Sequence, residues 1–153
     1  MGNEQINMLD DVKNTTDTDL HILFSDGGSR GNPGPSACGF VIMKESGDII
    51  EEGGEYLGVL TNNIAEYQGI KMALEKAIEL GIKNVQFKAD SLLAINQIKG
   101  IFKVKNKELW PIYERVQELK MNFDKITFEH IPREQNSRAD MLVNRFLDEH
   151  MLQ

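Results

Sequence analysis

Apolar and polar positions alternate without pattern until about Leu20 and then fall into nine elements. LHILFSD, residues 20–26, is apolar and β-branched enough to read as a strand. ACGFVIMKES, 37–46, reads as a second, and Gly47-Asp48 signals a hairpin into a third, IIEEGGEYLG, 49–58. Gly53-Gly54 predicts a bulge or bend in that third strand. The period then changes. TNNIAEYQGIKMALEKAIELG, 61–81, carries a helical apolar stripe and stops at Gly81. NVQFKAD, 84–90, is a strand and SLLAINQIKG, 91–100, a short helix. KELWPIYERVQELKMNF, 107–123, is a longer helix that Pro111 either starts or kinks. KITFEHIP, 125–132, is a fifth strand, and NSRADMLVNRFLDEHM, 136–151, a closing helix. The order βββαβααβα predicts an antiparallel meander followed by right-handed crossovers, hence an α/β domain with a mixed five-stranded sheet and helices packed on it.

The aperiodic residues 1–19 are expected to form a flexible acidic tail, and 20–153 a single domain. The tail holds a net charge of −4 out of −7, so the domain itself carries only −3. If some of its acids bind a cation, the working surface approaches neutrality, and nucleic acid is not excluded by charge. No membrane span and no signal-peptide core are legible. The lone Cys38 sits in a strand-like run, reads as an ordinary core residue and fits a reducing cytoplasm.

Four carboxylates stand at element ends. Asp26 shares the alternation of Ile22 and Phe24, so it is expected on a buried apolar face. Glu66 lies one turn before Ile70 on the stripe that continues through Ala73, Ala77 and Leu80. Asp90 ends a strand, and Asp140 aligns with Val143 and Leu147 near the start of the last helix. Each has a local explanation: an Asx-turn for Asp26, a capping box with Asn63 for Glu66, an N-cap for Asp90, a helix-dipole partner for Asp140. Together they are harder to explain locally, because a buried carboxylate without a partner is costly. Converging carboxylates would suit a hard divalent cation, Mg²⁺ or Mn²⁺, and the absence of a Cys/His cluster argues against zinc.

DGGSRGNPGP with Asp26, TNNIAEY with Glu66, ADS with Asp90 and HIPREQNSRAD with Asp140 occur in this order. With these motifs the chain resembles the type 1 branch of the ribonuclease H family over roughly Leu20 to Asp148. The resemblance implies the ribonuclease H-like fold and an endonuclease that hydrolyses the RNA strand of an RNA/DNA hybrid, leaving 5′-phosphate and 3′-hydroxyl ends. It implies two Mg²⁺ ions, with Mn²⁺ possible, held by Asp26, Glu66, Asp90 and Asp140, with Asp26 bridging both. It places the backbone of Gly27 and Gly28, and the side chains of Asn32, Asn62 and Asn63, along the hybrid's minor groove, where the 2′-hydroxyl separates RNA from DNA. Thr61 and Ser91 become phosphate contacts, and helix capping is the local alternative for Asn62-Asn63. A monomer in the cytoplasm, with no membrane and no obligate protein partner, is the expected setting.

Many relatives carry an extra basic helix where this chain has only KGIFKVKNKELW. Lys103, Lys105 and Lys107, with Lys99, form its only basic cluster and are expected to grip the DNA strand; the alternative is a solvated loop with Phe102 and Trp110 as core aromatics. The N-terminal hybrid-binding module of some relatives is expected to be absent. The resemblance also implies a residue that assists proton transfer or product release, and two compete for it at spacings found among relatives: His130, ten positions before Asp140, and Arg133, seven before it. Arg133 is favoured, because the segment after Pro132 is free to bend and His130 sits in a strand. Two other readings stay open: an inactive fold that binds nucleic acid or protein, and a nuclease that also acts on double-stranded RNA.

Overall fold

The computed structural model describes residues 19–152. The expected tail, up to residue 18, lies outside the described residues. Five strands form one sheet in the order β3-β2-β1-β4-β5. They are β1 (Leu20–Ser29), β2 (Gly34–Lys44), β3 (Ile49–Leu60), β4 (Asn84–Ala89) and β5 (Lys125–His130). The first three pair antiparallel, and β4 and β5 add in parallel to β1. The helices are α1 (Asn62–Glu79), α2 (Leu92–Ile98), α3 (Trp110–Lys120) and α4 (Ser137–Met151). This is the arrangement the periodicity predicts.

The main core lies between the sheet and α1, α2 and α3. Leu23, Phe40, Ile42, Val85 and Phe87 meet Ile70, Leu74, Ile95, Ile98, Val116 and Leu119 there. The opposite face is thinner and is covered by α4, whose Ala139 and Leu142 pack on Val41 and Phe24. Asp26 shares this second face by alternation. The face expected to be deeply apolar is thus half-buried at Ile22 and Phe24, and the deeper core points the other way through Leu23. Asp26 itself is buried, at 7% exposure.

Three local expectations are corrected. The bulges in β3 do not fall at Gly53-Gly54, which pair in register with Phe40 and Gly39; the register shifts lie on either side. Those glycines answer a packing need instead: a Cβ at Gly53 would stand 3.1 Å from the Phe40 ring, and one at Gly54 would strike the Cys38 carbonyl. β1 runs three residues past Asp26, so most of the glycine-rich segment is strand. Phe102 and Trp110 are not core aromatics, being 43% and 42% exposed. Pro111 starts α3 and does not kink it. Cys38 is buried as expected, and burial pushes its thiol up to about 12, where it is inert.

Candidate active site

Two glycines bring α1 unusually close to β1. A Cβ on Gly27 would strike the carbonyl of Ala65, and one on Gly69 would lie 2.7 Å from the carbonyl oxygen of Asp26. Such contacts are closer than a side chain permits. The requirement for glycine at 27 therefore comes from the helix that crosses it. That close approach sets Glu66, on the first turns of α1, beside Asp26.

Capping elsewhere leaves the acids free. Thr61 caps α1, its Oγ1 accepting from the Ile64 amide at 3.3 Å. Ser91 caps α2, its Oγ accepting from Ala94 at 3.2 Å. Neither the Asn63–Glu66 capping box nor the Asp90 N-cap forms, and Asn62 is a cross-link instead of a cap. Its Oδ1 accepts from the Ser29 amide at 2.7 Å and its own amide donates to Asn32 Oδ1 at 3.0 Å. The turn after β1 is thereby tied to the start of α1.

Asp26, Glu66 and Asp90 converge, each offering an oxygen within 4.8 Å of the others. Among the described residues this is the one such group of metal-ligating side chains. Burial, then the charges of Asp90 and Asp140, push Asp26 from the usual 3.8 up to about 7. Burial first, then Asp26 and Asp90, hold Glu66 well above its ordinary range. Glu66 Oε2 is buried with no hydrogen-bond partner. A crowded set of hard oxygens, one of them orphaned, fits a divalent cation, which would offset the repulsion and take the free lone pairs.

Asp140 stands outside that trio. It lies in the first turn of α4, lines the same cleft, and its Oδ1 is 3.7 Å from Arg133 Nη2. Arg133 sits on a single 3₁₀ turn after Pro132 and also lines the cleft. His130 ends β5, exposed, and is not among the cleft residues. The cleft holds about 680 Å³ and is open; Gly27, Gly28, Asn32, Asn62, Asn63 and Ser91 line it. Thr61 is not among the lining residues. Lys103, Lys105 and Lys107 are exposed on the loop before α3 and do not line it.

Sequence reasoning passed over Arg30, Asn136 and Asn144. Arg30 reaches from the glycine-rich turn to α4, with Nη2 2.7 Å from Asp148 and 3.4 Å from Asn144. Asn144 lies one turn after Asp140 and donates to its carbonyl at 3.1 Å. That four-residue spacing was the available signal for Asn144 and Asp148. Asn136 is buried, and its Nδ2 reaches the Ser25 carbonyl and Asp90.

Residues 24–146 match the family model described as "Reverse transcriptase-like". The chain is 41% identical over 130 residues to ribonuclease HI of Halobacterium salinarum, covering 85% of this chain and 65% of that protein. It is 38% identical over 128 residues to a bifunctional protein of Mycobacterium tuberculosis, covering 83% of this chain and 35% of that one. The chain thus spans about two thirds of the first relative's length and about a third of the second's. The solved structure of LC11-RNase H1 in complex with an RNA/DNA hybrid superposes with a TM-score of 0.81 at 39% identity, covering 86% of this chain and 99% of that one. A family model that matches most of the chain, together with these relatives in sequence and structure, gives the assignment: the chain belongs to the ribonuclease H family.

Proposed function

We propose that this protein is a metal-dependent endoribonuclease that cuts the RNA strand of RNA/DNA hybrids. The observation that carries the proposal is the convergence of Asp26, Glu66 and Asp90 at an open, asparagine-rimmed cleft. The hybrid bound by LC11-RNase H1 supports the same substrate here.

In this reading Asp26, Glu66, Asp90 and Asp140 hold two Mg²⁺ ions, with Mn²⁺ as a substitute. Bound there, the ions would supply an activated water and stabilise charge on the leaving oxygen. Hydrolysis forms a bond from water to phosphorus and breaks the P–O3′ bond, so the products end in 5′-phosphate and 3′-hydroxyl. Asn32, Asn62 and Asn63 read the minor groove and its 2′-hydroxyls. Their cross-links fix the groove reader to the same helix end that carries Glu66, so binding and cleavage share one rigid frame. Gly28 keeps that wall low, Ser91 faces the phosphates, and Thr61, outside the cleft lining, is the lesser candidate for a phosphate contact. Arg133 supplies a permanent positive charge near Asp140 for the scissile phosphate or the leaving oxygen. His130 is the lesser candidate for that role. The exposed lysines 103, 105 and 107 hold the DNA strand, and the exposed Phe102 and Trp110 beside them offer apolar surface to its sugars.

Among the described residues no helix is long and apolar enough to cross a membrane. A monomer acting in the cytoplasm completes the proposal. The test is cleavage of end-labelled RNA/DNA, RNA/RNA and DNA/DNA duplexes with Mg²⁺ or Mn²⁺, with Asp90→Asn as control. Cleavage of the hybrid's RNA strand, lost in the variant, is expected. Binding without cleavage would leave an inactive nucleic-acid-binding module, and comparable cutting of RNA/RNA would widen the substrate class.

A further inference from the structure

Asn136 precedes α4 and is 1% exposed. Its position suggests a helix cap, yet its side chain caps nothing. Instead Nδ2 donates to the Ser25 carbonyl at 2.9 Å and to Asp90 Oδ2 at 3.1 Å. Ser25 immediately precedes Asp26 on β1. Through its main chain, Asn136 accepts from the Asp140 amide at 3.1 Å. One residue thus touches the strand that carries Asp26, the carboxylate of Asp90 and the turn that carries Asp140.

The amide orientation follows from its neighbours. Both partners of Nδ2 are acceptors, so a flipped amide would set oxygen against oxygen. That leaves Oδ1 buried without a partner. An unpaired buried acceptor is costly, so stability alone is a poor reason for asparagine at this position. The gain is in Asp90: one of its oxygens is held, its rotation is stopped, and the carboxylate is aimed at Asp26 and Glu66. We propose that Asn136 is a positioning residue that sets the Asp90 carboxylate for divalent-metal binding and registers α4 to the strand ends.

This rests on reading the carboxylate cluster as a metal site, and the experiment separates the two. Mn²⁺ binding is measured by calorimetry, without nucleic acid, for wild type, Asn136→Ala, Asp90→Asn and the double variant. Metal-free melting temperatures are recorded alongside. Partners that orient metal ligands typically contribute about 10- to 100-fold in affinity. Asn136→Ala should therefore weaken Mn²⁺ binding by about that factor, and in the Asp90→Asn background the same change should cost less than about twofold. Asn136→Ser, which offers a single donor, keeps the test open if the alanine variant fails to fold; the same loss of Mn²⁺ affinity is expected. Wild-type affinity in either folded variant, or an equal loss in both backgrounds, would overturn the positioning role alone. No Mn²⁺ binding by wild type would overturn the metal site and this inference together.

Discussion

Replacing Asp26 by asparagine should make the metal-free protein more stable, by an amount that grows as pH rises from about 4 to 7. Its pKa stands at about 7 in the fold against 3.8 for an unperturbed aspartate. At 1.36 kcal/mol per pKa step, ionising Asp26 in the fold costs on the order of 4 kcal/mol more than in the unfolded chain. Between about pH 4 and 7 the folded chain keeps a proton that the unfolded chain has released. Stability therefore falls as pH rises through that window and stays low above it. Glu66, also raised, acts in the same direction. Asp26→Asn removes the charge and retains an oxygen for the Gly27 amide, which lies 2.9 Å from Oδ1. With about 2–4 °C per kcal/mol for a domain of this size, the variant should melt roughly 8–16 °C above wild type at pH 8 in chelator. Less than about half of that gain should remain at pH 5, where wild-type Asp26 is already protonated in the fold. Saturating Mg²⁺ should then raise wild type more than the variant. Thermal unfolding at the two pH values, with chelator and with Mg²⁺, reads all of this. Equal gains at pH 5 and pH 8, or none at pH 8, would refute the account of a strained carboxylate cluster.

Other outcomes follow from the same geometry. Lys103, Lys105 and Lys107 changed together to alanine should weaken hybrid binding and flatten its salt dependence by roughly one unit of log–log slope per lost phosphate contact; an unchanged slope reassigns the lysines to solvation. Arg133→Ala should lower kcat on a labelled hybrid by about 10- to 1000-fold, with His130→Ala nearly silent, and the reverse pattern would exchange their roles. Gly69→Ala places a Cβ 2.7 Å from the Asp26 carbonyl oxygen. It should cost roughly 1–3 kcal/mol in urea unfolding and reduce cleavage further than stability explains, because it pushes Glu66 away from Asp26.

The sequence revealed much of this because two periodicities dominate it. The helical stripe through Ile70, Ala73 and Ala77 places one wall of the main core, and the four carboxylates break the patterns at element ends. The other wall, through Leu23, stayed ambiguous because Ile22, Leu23 and Phe24 are all apolar and alternation does not say which face lies deeper. Features that depend on tertiary approach stayed hidden. Gly27 and Gly69 look like turn or helix glycines until the distance between α1 and β1 is known. The β3 bulges are invisible because pairing register, not composition, creates them. Asn136 looks like an N-cap, and only the fold reveals that its amide is spent on Ser25 and Asp90. Arg30 carries no periodic signal, and its partners lie more than a hundred residues away.

The placement of α4 has a temporal consequence. Three of the acids are encoded by residue 90, and the fourth arrives fifty residues later on the last element described. At a synthesis rate of about 5–20 residues per second, a nascent chain passes several seconds with Asp26, Glu66 and Asp90 already made and neither Asp140 nor Asn136 yet translated. The same helix covers the second face of β1 and β2, so until it emerges Phe24 and Val41 have no lid. Arrival of Asp140 at the cleft and closure of that face are therefore one event, because both wait for α4.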